Sequence, residues 1–243
     1  MIDAVDVWLL SLDRAAREMA DRITNLSAEE RSRAARYVRV YDRAAFVMVR
    51  STLRGLLGAR LGCAASAVRF SYGSHGKPML ADESQVSFNV SHTAGLALIA
   101  IAESREVGVD IEAWTASSAD DFAYGLLGAD ERRHVEVTKD PASFYDRWTR
   151  KEALIKARGS GLDRALQAVE MTPWCLQHVD GFAIQNIDVG SACSAAVAVA
   201  DGPCKIPTVI RVHGIEPWMH VSHGCSDTSI PLSTPRLEHE YIP

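Results

Sequence analysis

The chain offers little to a cysteine-based scaffold. Its 243 residues include five cysteines, Cys63, Cys175, Cys193, Cys204 and Cys225, scattered with no C-x-x-C pair. An odd, dispersed set reads as reduced thiols and excludes a disulfide framework or a zinc ribbon. No apolar run approaches the ~20 residues of a membrane span. Early acids, Asp3 and Asp6, stand where a signal peptide would carry positive charge. A soluble, cytoplasmic protein is the expectation. Net positive charge is also lacking: the formal charge of -5 argues against general nucleic-acid binding. There is no G-x-S-x-G elbow, which removes the usual sign of a serine hydrolase. Acids are nearly missing from one segment. Between Arg31 and Arg60, Asp42 is the single acid among eight arginines, a basic surface suited to phosphates or to an acidic partner.

What is present is ordinary globular material, 47% hydrophobic and 23% charged, enough for one large or two small domains. Val5 to Leu12 alternates as a strand. A short helix is expected over Asp13 to Ile23. Ser27 followed by Glu30 is a capping-box signature for a helix starting near Ala28, and apolar spacing predicts another from Asp42 to about Leu61. Strands are expected at Val68 to Phe70, Val86 to Val90, Leu96 to Ala102 and Val107 to Glu112, the last two forming a hairpin across Glu103-Ser104-Arg105-Glu106. Helix is expected over Asp121 to Val137 and through Trp148 to Arg158, where Gly159 ends it. Strands follow at Ala168 to Met171, Phe182 to Asp188, Ala195 to Ala200 and Thr208 to Val212. The apolar run Leu96 to Ala102 is faintly echoed by Ala195 to Ala200. The tail is irregular, and His213, His220, His223 and Cys225 fit no standard zinc spacing.

Four places could carry chemistry. Asp110 and Glu112 lie two apart on a strand, so both carboxylates share a face. Alone, such a pair is usually a solvated edge; with a third carboxylate it becomes a candidate site for Mg²⁺. Trp148, Glu152 and Lys156 are spaced to form one stripe on a helix, either a surface ion pair beside a core indole or groups facing an anion and its metal. Ser91 and His92 end a strand, and Lys77 follows two glycines in the turn Gly73 to Pro78, both suited to anions.

Taken in order, F-N-V-S-H (Phe88 to His92), G-V-D-I-E (Gly108 to Glu112) and W-T-R-K-E-A-L-I-K-A-R-G-S-G-L (Trp148 to Leu162) resemble the three motifs of the Sfp-type 4′-phosphopantetheinyl transferases. The arginine-rich L-S-x-E-E-R-S-R-A-A-R-Y and the Gly76-Lys77-Pro78 turn are similar to that family's upstream features. The resemblance covers roughly residues 5 to 200. It implies an α+β fold of two similar α/β subdomains related by pseudo-two-fold symmetry, residues 1–107 and 108–212, with an irregular tail over 213–243 and the site in the cleft between the halves. It implies transfer of phosphopantetheine from coenzyme A to a serine of an acyl or peptidyl carrier protein by a monomer. By motif position, Asp110, Glu112 and Glu152 would hold Mg²⁺. Lys156 and His92 would contact coenzyme A phosphates and serve catalysis together with Glu152. Ser91, Lys77, Arg33 and Arg43 would bind coenzyme A, Arg43 standing in for a basic position filled here by Ala45. Glu131 would be an additional acid near the site. The first motif ends in Thr93 where the family often has Ser.

Two other readings stay open on the sequence: a non-catalytic homologue that binds carrier proteins, and a metal-dependent hydrolase of diphosphates. The intact set Asp110, Glu112, Glu152 and Lys156 argues against the first. Product release without a carrier would mark the second.

Overall fold

The computed structural model describes residues 4–73, 76–82, 84–114, 121–161, 164–190, 192–202 and 209–215. Part of the glycine-rich turn (74 and 75), the polar stretch 115–120, Leu162 and the tail from 216 onward lie outside the described residues. The chain forms two compact units. One is built on Leu10–Arg69, the other on Phe70–Val212 with the N-terminal residues up to Leu9.

The first unit is helical: α1 (Ala15–Arg22), α2 (Ala28–Ala35) and α3 (Val40–Leu61). The capping box forms as expected, Ser27 Oγ accepting from the Glu30 amide while the Glu30 carboxylate accepts from the Ser27 amide. Gly62 takes the left-handed conformation at φ 66° and stops α3. Glu30 does more than cap. Its Oε2 receives Arg54 Nε at 2.6 Å, and Arg54 also donates to the carbonyls of Ala65 and Val68. Arg54 is 2% exposed. The basic surface read from the arginine count is therefore smaller than expected. Arg54 is an internal tie, Arg50 points at Glu30 from 3.5 Å, and Arg31, Arg33, Arg36 and Arg39 remain exposed.

The second unit carries two four-stranded sheets and an α+β arrangement. Its strands are β1 (Ala4–Ser11), β2 (Phe70–Tyr72), β3 (Pro78–Leu80), β4 (Val86–Thr93), β5 (Leu96–Glu103), β6 (Val107–Ala113), β7 (Gln177–Val179), β8 (Phe182–Ile187), β9 (Cys193–Ala200) and β10 (Val209–Ile215). Between β6 and β7 come α4 (Asp121–Gly125), α5 (Ala129–Thr138) and α6 (Pro141–Arg158). One sheet runs β10-β1-β5-β4, the other β6-β9-β8-β7, and β2 pairs with β3 alone. The echoed segments β5 and β9 are both inner strands. Residues 213–215, expected in the tail, complete β10.

The expected hairpin of β5 with β6 does not form. β5 already has a partner on each edge, β1 and β4, and pairs with β4 antiparallel from Val86↔Glu103 to Thr93↔Leu96. β6 instead crosses to the other sheet and pairs with β9, with Asp110 opposite Ala196 and Glu112 opposite Ser194. The strand expected over Ala168 to Met171 is absent too. A short 3-10 turn covers Arg164–Ala168, and its surroundings are claimed by a buried ion pair described below.

Alternation then sorts β6 in two. Val107, Val109 and Ile111 join Val5, Leu98 and Val197 in the core shared by both sheets. Gly108, Asp110 and Glu112 face the other way. On that side α6 lays Ala153 and Ala157 against small residues, Ala196 and Ala198. The contact is so close that a Cβ added at Gly108 would overlap the Ala153 carbonyl oxygen and the Ala157 amide nitrogen. Glycine at 108 is what allows the helix to lie on the strand.

Candidate functional site

At the close packing of α6 on β6, residues of all three motifs meet. Lys156 Nζ lies 2.6 Å from Asp110 Oδ1 and 3.1 Å from Ser91 Oγ, and Ser91 Oγ donates to the same Asp110 oxygen at 2.8 Å. Asp110 is 2% exposed. Its second oxygen, Oδ2, is buried with no hydrogen-bond partner among the described residues. An unpaired buried carboxylate oxygen is costly and marks a place for a further cation or donor.

Glu112 and Glu152 complete the charge cluster. Burial, and then the Asp110 carboxylate, push the Glu112 carboxyl up to about 7, with Lys156 pulling the other way. Glu152 is raised by the same two causes in the same order. Lys156 is the one cation that both groups feel. Three carboxylates thus share one ammonium, an excess of negative charge that adds to burial in raising the Glu112 and Glu152 carboxyls. Among the described residues, no three His, Cys, Asp or Glu side chains converge as a preformed metal cage.

The remaining sequence candidates sort differently. His92 is exposed and alternates to the face of β4 opposite Ser91. Lys77 Nζ contacts Glu106 at 3.0 Å and the Ala157 carbonyl at 3.2 Å, at the C-terminal end of α6 where a cation is favoured. Arg33 and Arg43 belong to the helical unit. Arg33 stacks over the Phe46 ring at 5.1 Å, and Arg43 donates to the Tyr37 carbonyl at 3.1 Å. Trp148 leaves the charged stripe and stacks on Phe144 in an apolar cluster with Leu127.

Glu131 is committed elsewhere. Its carboxylate pairs with Lys151 at 2.8 Å, both groups nearly fully buried, and accepts the amides of Gly128 and Met171. Lys151 also donates to the carbonyls of Leu166 and Val169, and burial lowers its pKa. Those contacts use backbone groups that a strand over Ala168 to Met171 would have needed. Its neighbour Arg150 reaches Asn186, Gln177 and the Ile184 carbonyl, with its pKa brought down to about 10 by burial. Together they clamp α6 in place.

Comparison with known proteins settles the family. Residues 14–104 match the N-terminal model of the 4′-phosphopantetheinyl transferases, and residues 106–200 match the model of the 4′-phosphopantetheinyl transferase superfamily. The 4′-phosphopantetheinyl transferase HetI of Nostoc sp. is 33% identical over 210 residues, covering 82% of this chain and 88% of HetI. The chain belongs to the 4′-phosphopantetheinyl transferase superfamily. A putative 4′-phosphopantetheinyl transferase of Synechocystis sp. is also 33% identical, over 70% of each chain. The 4′-phosphopantetheinyl transferase Sfp of Bacillus subtilis is 27% identical, over 69% of this chain and 74% of its own. The two phosphopantetheinyl transferase matches meet at the turn between β5 and β6, the point where the chain leaves one sheet for the other. Among the described residues, no helix is long and apolar enough to cross a membrane.

Proposed function

We propose that the chain transfers the 4′-phosphopantetheine group of coenzyme A to a serine hydroxyl of an acyl or peptidyl carrier protein, releasing 3′,5′-ADP. Asp110, Glu112 and Glu152 would hold Mg²⁺. The observation that carries this reading is the Asp110–Lys156 junction, flanked by two carboxylates that resist ionisation, in a member of this family. The donor set fits a hard divalent cation on two counts. It is all oxygen, and it contains a buried carboxylate oxygen with no other partner. When bound, Mg²⁺ supplies charge neutralisation on the diphosphate oxygens.

The chain's own groups do the rest. An ammonium has three donors, and Asp110 and Ser91 occupy two of those on Lys156, which leaves one for a phosphate oxygen. The carrier serine Oγ attacks the phosphorus that bears the pantetheine oxygen. A new P–O bond forms, the bond to the bridging oxygen breaks, and 3′,5′-ADP leaves. Glu152, with its carboxyl raised above the usual range, accepts the serine proton. His92, Lys77, Arg33 and Arg43 are assigned to coenzyme A by motif position. The exposed Arg31, Arg36 and Arg39 suit docking of an acidic carrier protein. The enzyme acts as a cytoplasmic monomer whose functional halves divide near residue 107.

Chromatographic detection of 3′,5′-ADP tests the reading. Release should require both the apo carrier and Mg²⁺ and should stop with EDTA. Release without a carrier would make the protein a diphosphate hydrolase instead, and no release in any mixture would make it a non-catalytic homologue.

A further inference from the structure

One edge of β6 is paired with β9, and antiparallel pairing spends the amides of alternate residues on that partner. The amides of Val109, Ile111 and Ala113 point the other way. Each is met by a side chain of β4: Asn89 Oδ1 at 3.0 Å, Ser91 Oγ at 3.4 Å and Thr93 Oγ1 at 3.0 Å. Three residues spaced two apart on β4 thus form a rail that stands in for a missing strand.

The rail touches the carboxylates as well. Ser91 reaches Asp110, and Thr93 Oγ1 lies 3.5 Å from Glu112 Oε2. A threonine hydroxyl has one hydrogen. Accepting the Ala113 amide leaves that hydrogen free to be donated, and Glu112 Oε2 is an acceptor in reach.

We infer that Thr93 is a positioning residue: its hydroxyl fixes both the backbone after Glu112 and the orientation of the Glu112 carboxylate toward the metal. The inference rests on the metal reading proposed above. It gives the terminal position of the first motif a task that needs a hydroxyl and no particular side-chain size, and Thr or Ser each supplies one. Thr93→Val keeps the shape, removes the hydroxyl and leaves the Ala113 amide without its acceptor. Thr93→Ser keeps the hydroxyl.

The test is Mn²⁺ binding in the presence of coenzyme A without any carrier, read from the paramagnetic resonance of the free ion. Circular dichroism confirms that each variant is folded. The wild type should bind, Thr93→Val should bind about 10-fold more weakly, in the range typical of lost outer-sphere partners, and Thr93→Ser should restore wild-type affinity. Equal affinity of Thr93→Val and wild type would overturn the positioning role and leave the metal site standing. So would equal weakness of the two variants, because the hydroxyl would then not be the cause. Absence of binding by the wild type would remove the metal reading and this role with it.

Discussion

Lys156 on α6 and Asp110 on β6, 46 positions apart in sequence, are joined by a 2.6 Å ion pair whose carboxylate is almost wholly buried. One side of the pair is open enough to meet a ligand, since the Lys156 side chain is 28% exposed. The pair is therefore a clasp between strand and helix that keeps its ammonium accessible.

Its coupling is measurable. In a double-mutant cycle of Asp110→Asn and Lys156→Met, urea unfolding should return an interaction energy of about 0.5–3 kcal/mol, favourable to the pair. A value indistinguishable from zero would mean the contact is not held in solution.

The close approach at Gly108 has a sharp consequence. Gly108→Ala places a methyl against the backbone of α6, which cannot move aside cheaply, and should cost about 1–3 kcal/mol or more while lowering transfer activity. Gly55→Ala is the contrasting case. It lies inside α3 with nothing within 4 Å of the added carbon, so it should gain about 0.5–1 kcal/mol. Denaturant midpoints of the two variants should move in opposite directions.

Stability of the metal-free protein should depend on pH through Glu112. In the fold this carboxyl keeps its proton up to about pH 7, against an ordinary 4.5. Between those values the folded chain binds more protons than the unfolded chain, so stability falls as pH rises from 4.5 toward 7, and levels off above. Glu152, shifted in the same direction, adds to the slope. Thermal melts across this range should show the decline in the wild type and a shallower one in Glu112→Gln.

Glu131 should behave as a structural acid. Glu131→Gln strands the Lys151 ammonium in the interior, where breaking one half of a buried pair costs about 3–5 kcal/mol. Melting should drop strongly, while transfer per folded molecule at low temperature persists. Loss of transfer with unchanged melting would return Glu131 to the site.

Much of this was legible in the residues. The D-x-E alternation put Asp110 and Glu112 on one face, the i, i+4 spacing put Glu152 and Lys156 on another, and both are where the spacing places them. The partnership of β6 was not legible. A polar turn such as Glu103 to Glu106 reports that the chain reverses, but nothing about whether the preceding strand has an edge left to offer. Nor does an arginine or lysine announce its burial: Arg54, Arg150 and Lys151 read as surface charge until their carbonyl and carboxylate partners are seen. The rail did leave a trace. Asn89, Ser91 and Thr93 are polar residues alternating on a strand whose neighbours are apolar, a pattern that asks what the polar face is bonded to.

The central claim is that the cluster around Asp110 and Lys156 performs the transfer. Intact-mass spectrometry of an apo carrier protein, incubated with coenzyme A and Mg²⁺, tests it most directly when the wild type is run beside a folded Glu152→Gln. The expected result is addition of one phosphopantetheine group by the wild type and none by the variant. Full modification by Glu152→Gln at the wild-type rate would contradict the assignment.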